Sequence, residues 1–61
     1  MLVKIANVTP QVLRPTVVET DGSLREIRLE GRKESELVDD STLSDHTRQL
    51  VGAGHLKIRP A

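Results

Sequence analysis

The chain reads as a small α+β domain: an antiparallel sheet of about four strands with one helix in its C-terminal half, in the order β-β-β-(β)-α-β. Three observations predict it. Asp21-Gly22 lies between two runs rich in Val, Ile, Leu and Thr, a short-range hairpin signal. Leu43, Thr47, Leu50 and Val51 recur on one helical face. Elsewhere apolar and polar residues alternate at the period of a half-buried strand.

The first strand is drawn by Met1, Val3 and Ile5 on one side and Leu2, Lys4 and Ala6 on the other. Asn7-Val8-Thr9-Pro10 interrupts it, and proline gives no ladder donor. This predicts a bend or an edge. Residues 11–19 resume the β pattern, with Pro15 demoting part of the run to an edge or bulged strand. Residues 16–30 are expected to form the hairpin, with Asp21 and Gly22 accepting positive φ at its turn. On the return strand Ile27 and Leu29 share a face with Arg25, opposite Glu26, Arg28 and Glu30.

Gly31 and the charged run Arg32-Lys33-Glu34 end that strand, and Glu36-Leu37-Val38 is a further short strand candidate. A helix is expected over 42–52. Asp39-Asp40-Ser41 are cap candidates for it, with Ser44 a later one and Gly52 and Gly54 as its stop. His55 to Arg59 alternates as the last strand, with Leu56 and Ile58 inward. The core is predicted from Leu43, Leu50 and Val51 packing on Val3, Ile5, Val17, Ile27, Leu29, Leu56 and Ile58.

Composition narrows the function. The 61 residues include no Phe, Tyr, Trp or Cys and two His; eight Leu, seven Val and three Ile supply nearly all the core. That length is one domain, 1–61, and below ~70–80 residues a core rarely supplies more than ~3–5 kcal/mol. Disulfides and thiolate zinc sites are excluded, which leaves dense packing or association with other chains. Net charge is zero, without the basic surplus of a dedicated nucleic-acid binder. Residues 1–33 carry six positive and four negative charges and residues 34–61 three and five, so the two parts are +2 and −2. No stretch approaches a membrane span. The opening MLVKIANV is too short and too soon polar for a signal peptide, so a cytoplasmic site is expected and the Asn7-Val8-Thr9 sequon is read as chance.

No catalytic constellation emerges. Asp39, Asp40, Asp45 and His46 lack the glycine and spacing of a calcium loop, and capping explains the aspartates. His46 and His55 are nine residues apart, not at the i, i+4 spacing of a helical metal pair. Gly52-Ala53-Gly54 follows a helix instead of opening one, so it does not cradle phosphate. No catalytic residue, cofactor or metal is expected. Arg14, Arg25, Arg28 and Arg32, with Lys33, are candidates for partner contact. They suit phosphate if they form a stripe, but single-strand binding lacks its aromatic platforms, and Glu19, Glu26 and Glu30 suit cross-strand ion pairing.

One longer pattern stands out. An apolar strand runs into Asn7-Val8-Thr9-Pro10; a hairpin strand ends Ile27-Arg28-Leu29-Glu30-Gly31; the chain finishes Leu50-Val-x-Ala-Gly-x-Leu-x-Ile58. This resembles small proteins of the structural-gene blocks of tailed bacteriophages and prophages. The resemblance implies a non-enzymatic virion or assembly protein that packs against copies of itself or neighbouring virion proteins, made in a bacterial cytoplasm and incorporated in a virion. It transfers no functional residue. The first two strands, weakened by Pro10 and Pro15, are the expected contact edges, with association nearly insensitive to salt. The alternative is a small dimeric DNA-binding regulator reading DNA with its hairpin or helix, its retention lost when Arg25 or Arg28 becomes alanine.

Overall fold

The computed structural model describes residues 1–61 and has the α+β architecture. In order it comprises β1 (Leu2–Asn7), β2 (Thr16–Val18), β3 (Leu24–Glu26), β4 (Val38–Asp39), a 3-10 turn (Asp40–Thr42), α1 (Asp45–Gly52) and β5 (Leu56–Pro60). The strands divide into two antiparallel sheets, β4-β1-β5 and β2-β3, instead of one.

β1 is the central strand of its sheet, which corrects the expected edge. Pro10 lies beyond its last residue and removes no donor from it. Ile5 pairs with Ile58 and Val3 with Pro60 on one side; Val3 also pairs with Val38 on the other. From Val3–Val38 to the Ala6–Glu34 bridge, β1 advances three residues and the facing chain four, a β-bulge. Ser35 fills the irregularity: its amide donates to Ile5 O (2.8 Å) and its hydroxyl accepts from Ile5 N (2.9 Å).

The hairpin keeps one register from Val18–Leu24 through Thr16–Glu26 to the Leu13–Leu29 bridge. Pro15 breaks it midway: Ile27 N donates to Pro15 O at 2.8 Å, and proline returns no bond. Regular strand is therefore short, and the expected run to Glu30 is interrupted. The turn also differs. Glu19 N donates to Ser23 O and Gly22 N to Glu19 O, enclosing three residues. Only Gly22 takes positive φ (88°), the pattern of a type I turn with a glycine bulge. Asp21 instead accepts from Ser23 N and Oγ at 2.9 and 2.6 Å.

The helix begins three residues later than expected. Asp39 caps the 3-10 turn, Leu43 is extended and bridges Val17, and Ser44 is the α1 N-cap, accepting from Thr47 N. Leu43 joins the core from this extended segment. At the other end Gly54 (φ 85°) donates to Val51 O and His55 to Leu50 O, a Schellman stop; Gly52 remains inside the helix.

Val3, Ile5, Val17, Leu29, Val38, Leu43 and Leu56 form the buried core, with Leu13, Ile27, Leu50, Val51 and Ile58 packed at its margin. All ten predicted residues are present; Leu13 and Val38 join them. Asn7 is 2% exposed. Its Nδ2 donates to the carbonyls of Gln11, Leu29 and Glu30, and its Oδ1 accepts from Thr9 N and Oγ1. The Asn-x-Thr-Pro pattern is thus a clasp tying the loop after β1 to the hairpin, and its amide is closed to modification in the folded chain. Gly31 lets Pro10 approach: a Cβ there would stand 2.5 Å from Pro10 O.

Candidate interaction surface

Strand alternation sorts the hairpin into two faces. Val17 and Leu29 turn into the core, with Ile27 at its margin, while Thr16, Val18, Leu24 and Glu26 face outward. At the tip Val18 stands opposite Leu24, which is 63% exposed. Beside them Thr16, Leu43, Ser44, Asp45 and His46 complete the walls of an open depression of about 340 Å³.

Hydroxyl groups tie its base together. Thr47, with 0% exposure, donates from Oγ1 to Thr16 O at 2.6 Å and accepts from Thr16 N at 2.9 Å. Ser44 Oγ lies 2.5 Å from Thr16 Oγ1 and 3.2 Å from Thr47 Oγ1, while Ser44 N donates to Thr16 O. These bonds occupy the outer edge of β2 and tie it to the start of α1. β2 is therefore no open edge, a second correction to the expected contact strands. The Thr47 hydroxyl, with the Ser44 N–Thr16 O bond and the Val17–Leu43 bridge, closes it at Thr16.

The four candidate arginines do not form one stripe. Arg14 and Arg28 fall opposite each other in the hairpin register on the outward face, Arg25 is on the other face, and Arg32 lies past Gly31 with φ 66°. Arg25 Nε is 2.6 Å from Glu19 and its Nη1 3.6 Å from Glu36; Arg28 is 3.0 Å from Glu30 and Arg14 3.9 Å from Glu26. Arg32 has no such carboxylate. These exposed pairs contribute little stability, ~0–1 kcal/mol each, but they neutralise the basic side chains. The cross-strand ion pairing expected from the glutamates is present for Glu19 and Glu26, while Glu30 pairs with Arg28 of its own strand, and a continuous phosphate-facing stripe is absent.

The acidic segment before α1 serves the backbone. The Ser41 amide, then its hydroxyl, donates to Asp39 and holds its carboxyl down at about 2. The Ser23 hydroxyl and amide likewise lower Asp21. His46 on α1 and His55 in the turn before β5 are both exposed, and no three His, Cys, Asp or Glu side chains converge as metal ligands. Compared with known proteins, the chain matches no family model, no curated protein and no solved structure.

Sequence reasoning missed the Thr16–Ser44–Thr47 hydroxyl cluster. Its one visible signal was Thr47 at a core position of the helical face. It also left Leu24 unremarked and read Glu26 only as an ion-pairing residue, because the importance of β3 appears only once its neighbours are placed.

Proposed function

We propose that this chain is a non-enzymatic structural or assembly protein of the bacteriophage or prophage type, acting by packing against copies of itself or neighbouring virion proteins. It would be made in the bacterial cytoplasm and incorporated in a virion. The observation that carries the reading is the exposed apolar pair Val18–Leu24 held at the hairpin tip beside the depression. Only 13 of 61 residues are buried, so the fold gains from any partner that covers more apolar surface. The protein-contact sites move from the strands first expected to the hairpin tip. The ion-paired arginines give the DNA-regulator reading no observation of its own.

Sedimentation velocity across protein and salt concentrations tests the proposal. Association that grows with concentration and weakens in Leu24→Ser, with unchanged circular dichroism, supports it. A strictly monomeric species at high micromolar concentration, with or without that change, counts heavily against it.

A further inference from the structure

The two sheets present four edges, and they differ in how they are closed. β4 is two residues long; its next residues turn away in the 3-10 turn, and Asp39 O accepts from Thr42 Oγ1. β2 is closed by Ser44 and Thr47, as described above. β5 is longer. Val8 N donates to His55 O and Ala61 N to Leu2 O, so odd residues bond β1 and Leu56, Ile58 and Pro60 turn their backbones outward. Yet Pro60 has no donor, and a two-fold pairing of β5 with itself centred on residue 57, 58 or 59 sets Lys57 or Arg59 against a like charge. Proline and lysine are the usual guards of such edges.

β3 is different. Glu19 N to Ser23 O, Ile27 N to Pro15 O and the mutual Leu13–Leu29 bonds show that odd residues face β2. The N–H and C=O groups of Leu24, Glu26 and Arg28 therefore point outward, and no side chain or other backbone group bonds them. All three β3 residues are exposed.

We infer that this edge pairs with the same edge of a second copy, antiparallel about a two-fold axis at Ile27, making a four-stranded sheet β2-β3-β3-β2. Charge complementarity selects both the occupant and the register. With Ile27 opposite Ile27, Glu26 of each copy stands opposite Arg28 of the other, two opposite-charge pairs related by the axis. Moving the axis to residue 26 sets Glu26 against Glu26. At residue 25 it sets Arg25 against Arg25, and at residue 28 Arg28 against Arg28. Of these registers only the first brings unlike charges face to face without such a clash; an axis at residue 29 would face Arg28 with Glu30, but Glu30 O already accepts from Lys33 N and Asn7 Nδ2. It also joins the outward faces of the two hairpins, so that both Val18–Leu24 pairs lie on one continuous surface. Arg28, one of the sequence-derived contact candidates, acquires a defined role; Arg14 lies opposite it on the same outward face, while Arg25 and Arg32 are not used.

This rests on the contact-protein reading and narrows it to one partner and one edge. The test is sedimentation equilibrium of the full chain with Glu26→Arg, Arg28→Glu and the double exchange E26R/R28E. These side chains are exposed, and circular dichroism checks that each variant is folded. The unchanged chain is expected to show a monomer–dimer equilibrium. Each single change puts like charges opposite at both related positions and should raise the dimer Kd roughly tenfold or more. The double exchange should restore it. Hydrogen exchange gives an independent measure: the amides of Leu24, Glu26 and Arg28 should gain protection as concentration rises. Association indifferent to the single changes, or not restored by the double one, overturns the β3 pairing while leaving the contact-protein reading intact. A chain that never associates overturns the β3 pairing and counts heavily against the contact-protein reading as well.

Discussion

Thr47→Val exchanges a hydroxyl for a methyl of nearly the same volume at a fully buried position. Thr47 Oγ1 makes three hydrogen bonds: to Thr16 O at 2.6 Å, from Thr16 N at 2.9 Å and from Ser44 Oγ at 3.2 Å. After the change Thr16 O retains Ser44 N as a donor, but Thr16 N faces a methyl group. A donor orphaned this way costs about 1–3 kcal/mol, and the lost bond to Thr16 O adds to it. We expect a loss of about 2–3 kcal/mol, a large part of the ~3–5 kcal/mol that a core this small supplies. Thr47→Ser is the control. It keeps the hydroxyl and removes one methyl, costing about 1 kcal/mol with its small cavity. Valine and threonine have similar helix propensity, so the helix itself does not separate the variants. Urea unfolding followed by far-UV circular dichroism is the assay, because the chain has no aromatic residue to report by fluorescence. In thermal scans by the same signal the valine variant should melt roughly 10–20 °C below the unchanged chain. If valine proves as stable as serine, the hydroxyl bonds are not what holds β2 to α1.

Two further outcomes follow from single side chains. Gly31→Ala places a Cβ 2.5 Å from Pro10 O and 2.6 Å from its carbon, so backbone must move, and we expect a cost of about 2–3 kcal/mol. Gly22→Ala meets no atom but keeps φ at 88°, at about 1–2 kcal/mol; urea midpoints that rank Gly22→Ala as the worse change would refute the Pro10 contact. Asp39 is depressed to about 2 in the folded chain, so its contribution is present above its unfolded value of ~3.9 and disappears as pH falls toward about 2. Melting temperatures should therefore fall less across that window in Asp39→Asn than in the unchanged chain, and parallel profiles would disprove the link.

The parts of the fold legible in the sequence were those set by local chemistry. Asp21-Gly22 marked the hairpin, alternation marked β1 and β5, and helical spacing marked α1, because each signal acts within a few residues. The misreadings arise where a distant group decides. Pro10 looked like a break in β1, yet Asn7 ends the strand first by bonding Gln11, Leu29 and Glu30. Asp39-Asp40-Ser41 had the composition of a helix cap, but Leu43 is drawn into a bridge with Val17, and the helix waits for Ser44. The interaction surface was legible only as residue types. Arg28 could be named from sequence; its place on an unclosed edge opposite a glutamate depends on which strands acquire neighbours.

Edge closure and the lean core express one economy. With no aromatic side chain, the buried residues are mostly aliphatic and small, and hydroxyl and amide groups complete the interior where bulk is lacking: Asn7, Ser35, Ser44 and Thr47 are all buried, and none of the buried side-chain polar atoms lacks a partner. Each of these groups also ends or closes a stretch of backbone. Ser44 and Thr47 close β2, Ser35 fills the bulge beside β1, and Asn7 fastens the loop after it. The outer edge of β3 receives no such group and, unlike β5, no proline; it carries the exposed Leu24 and a Glu-x-Arg pair spaced for reciprocal contact. A chain that closes its other edges by side-chain bonding, strand shortness or charge leaves one whose charges attract its own image, and at that edge intramolecular stabilisation gives way to intermolecular contact.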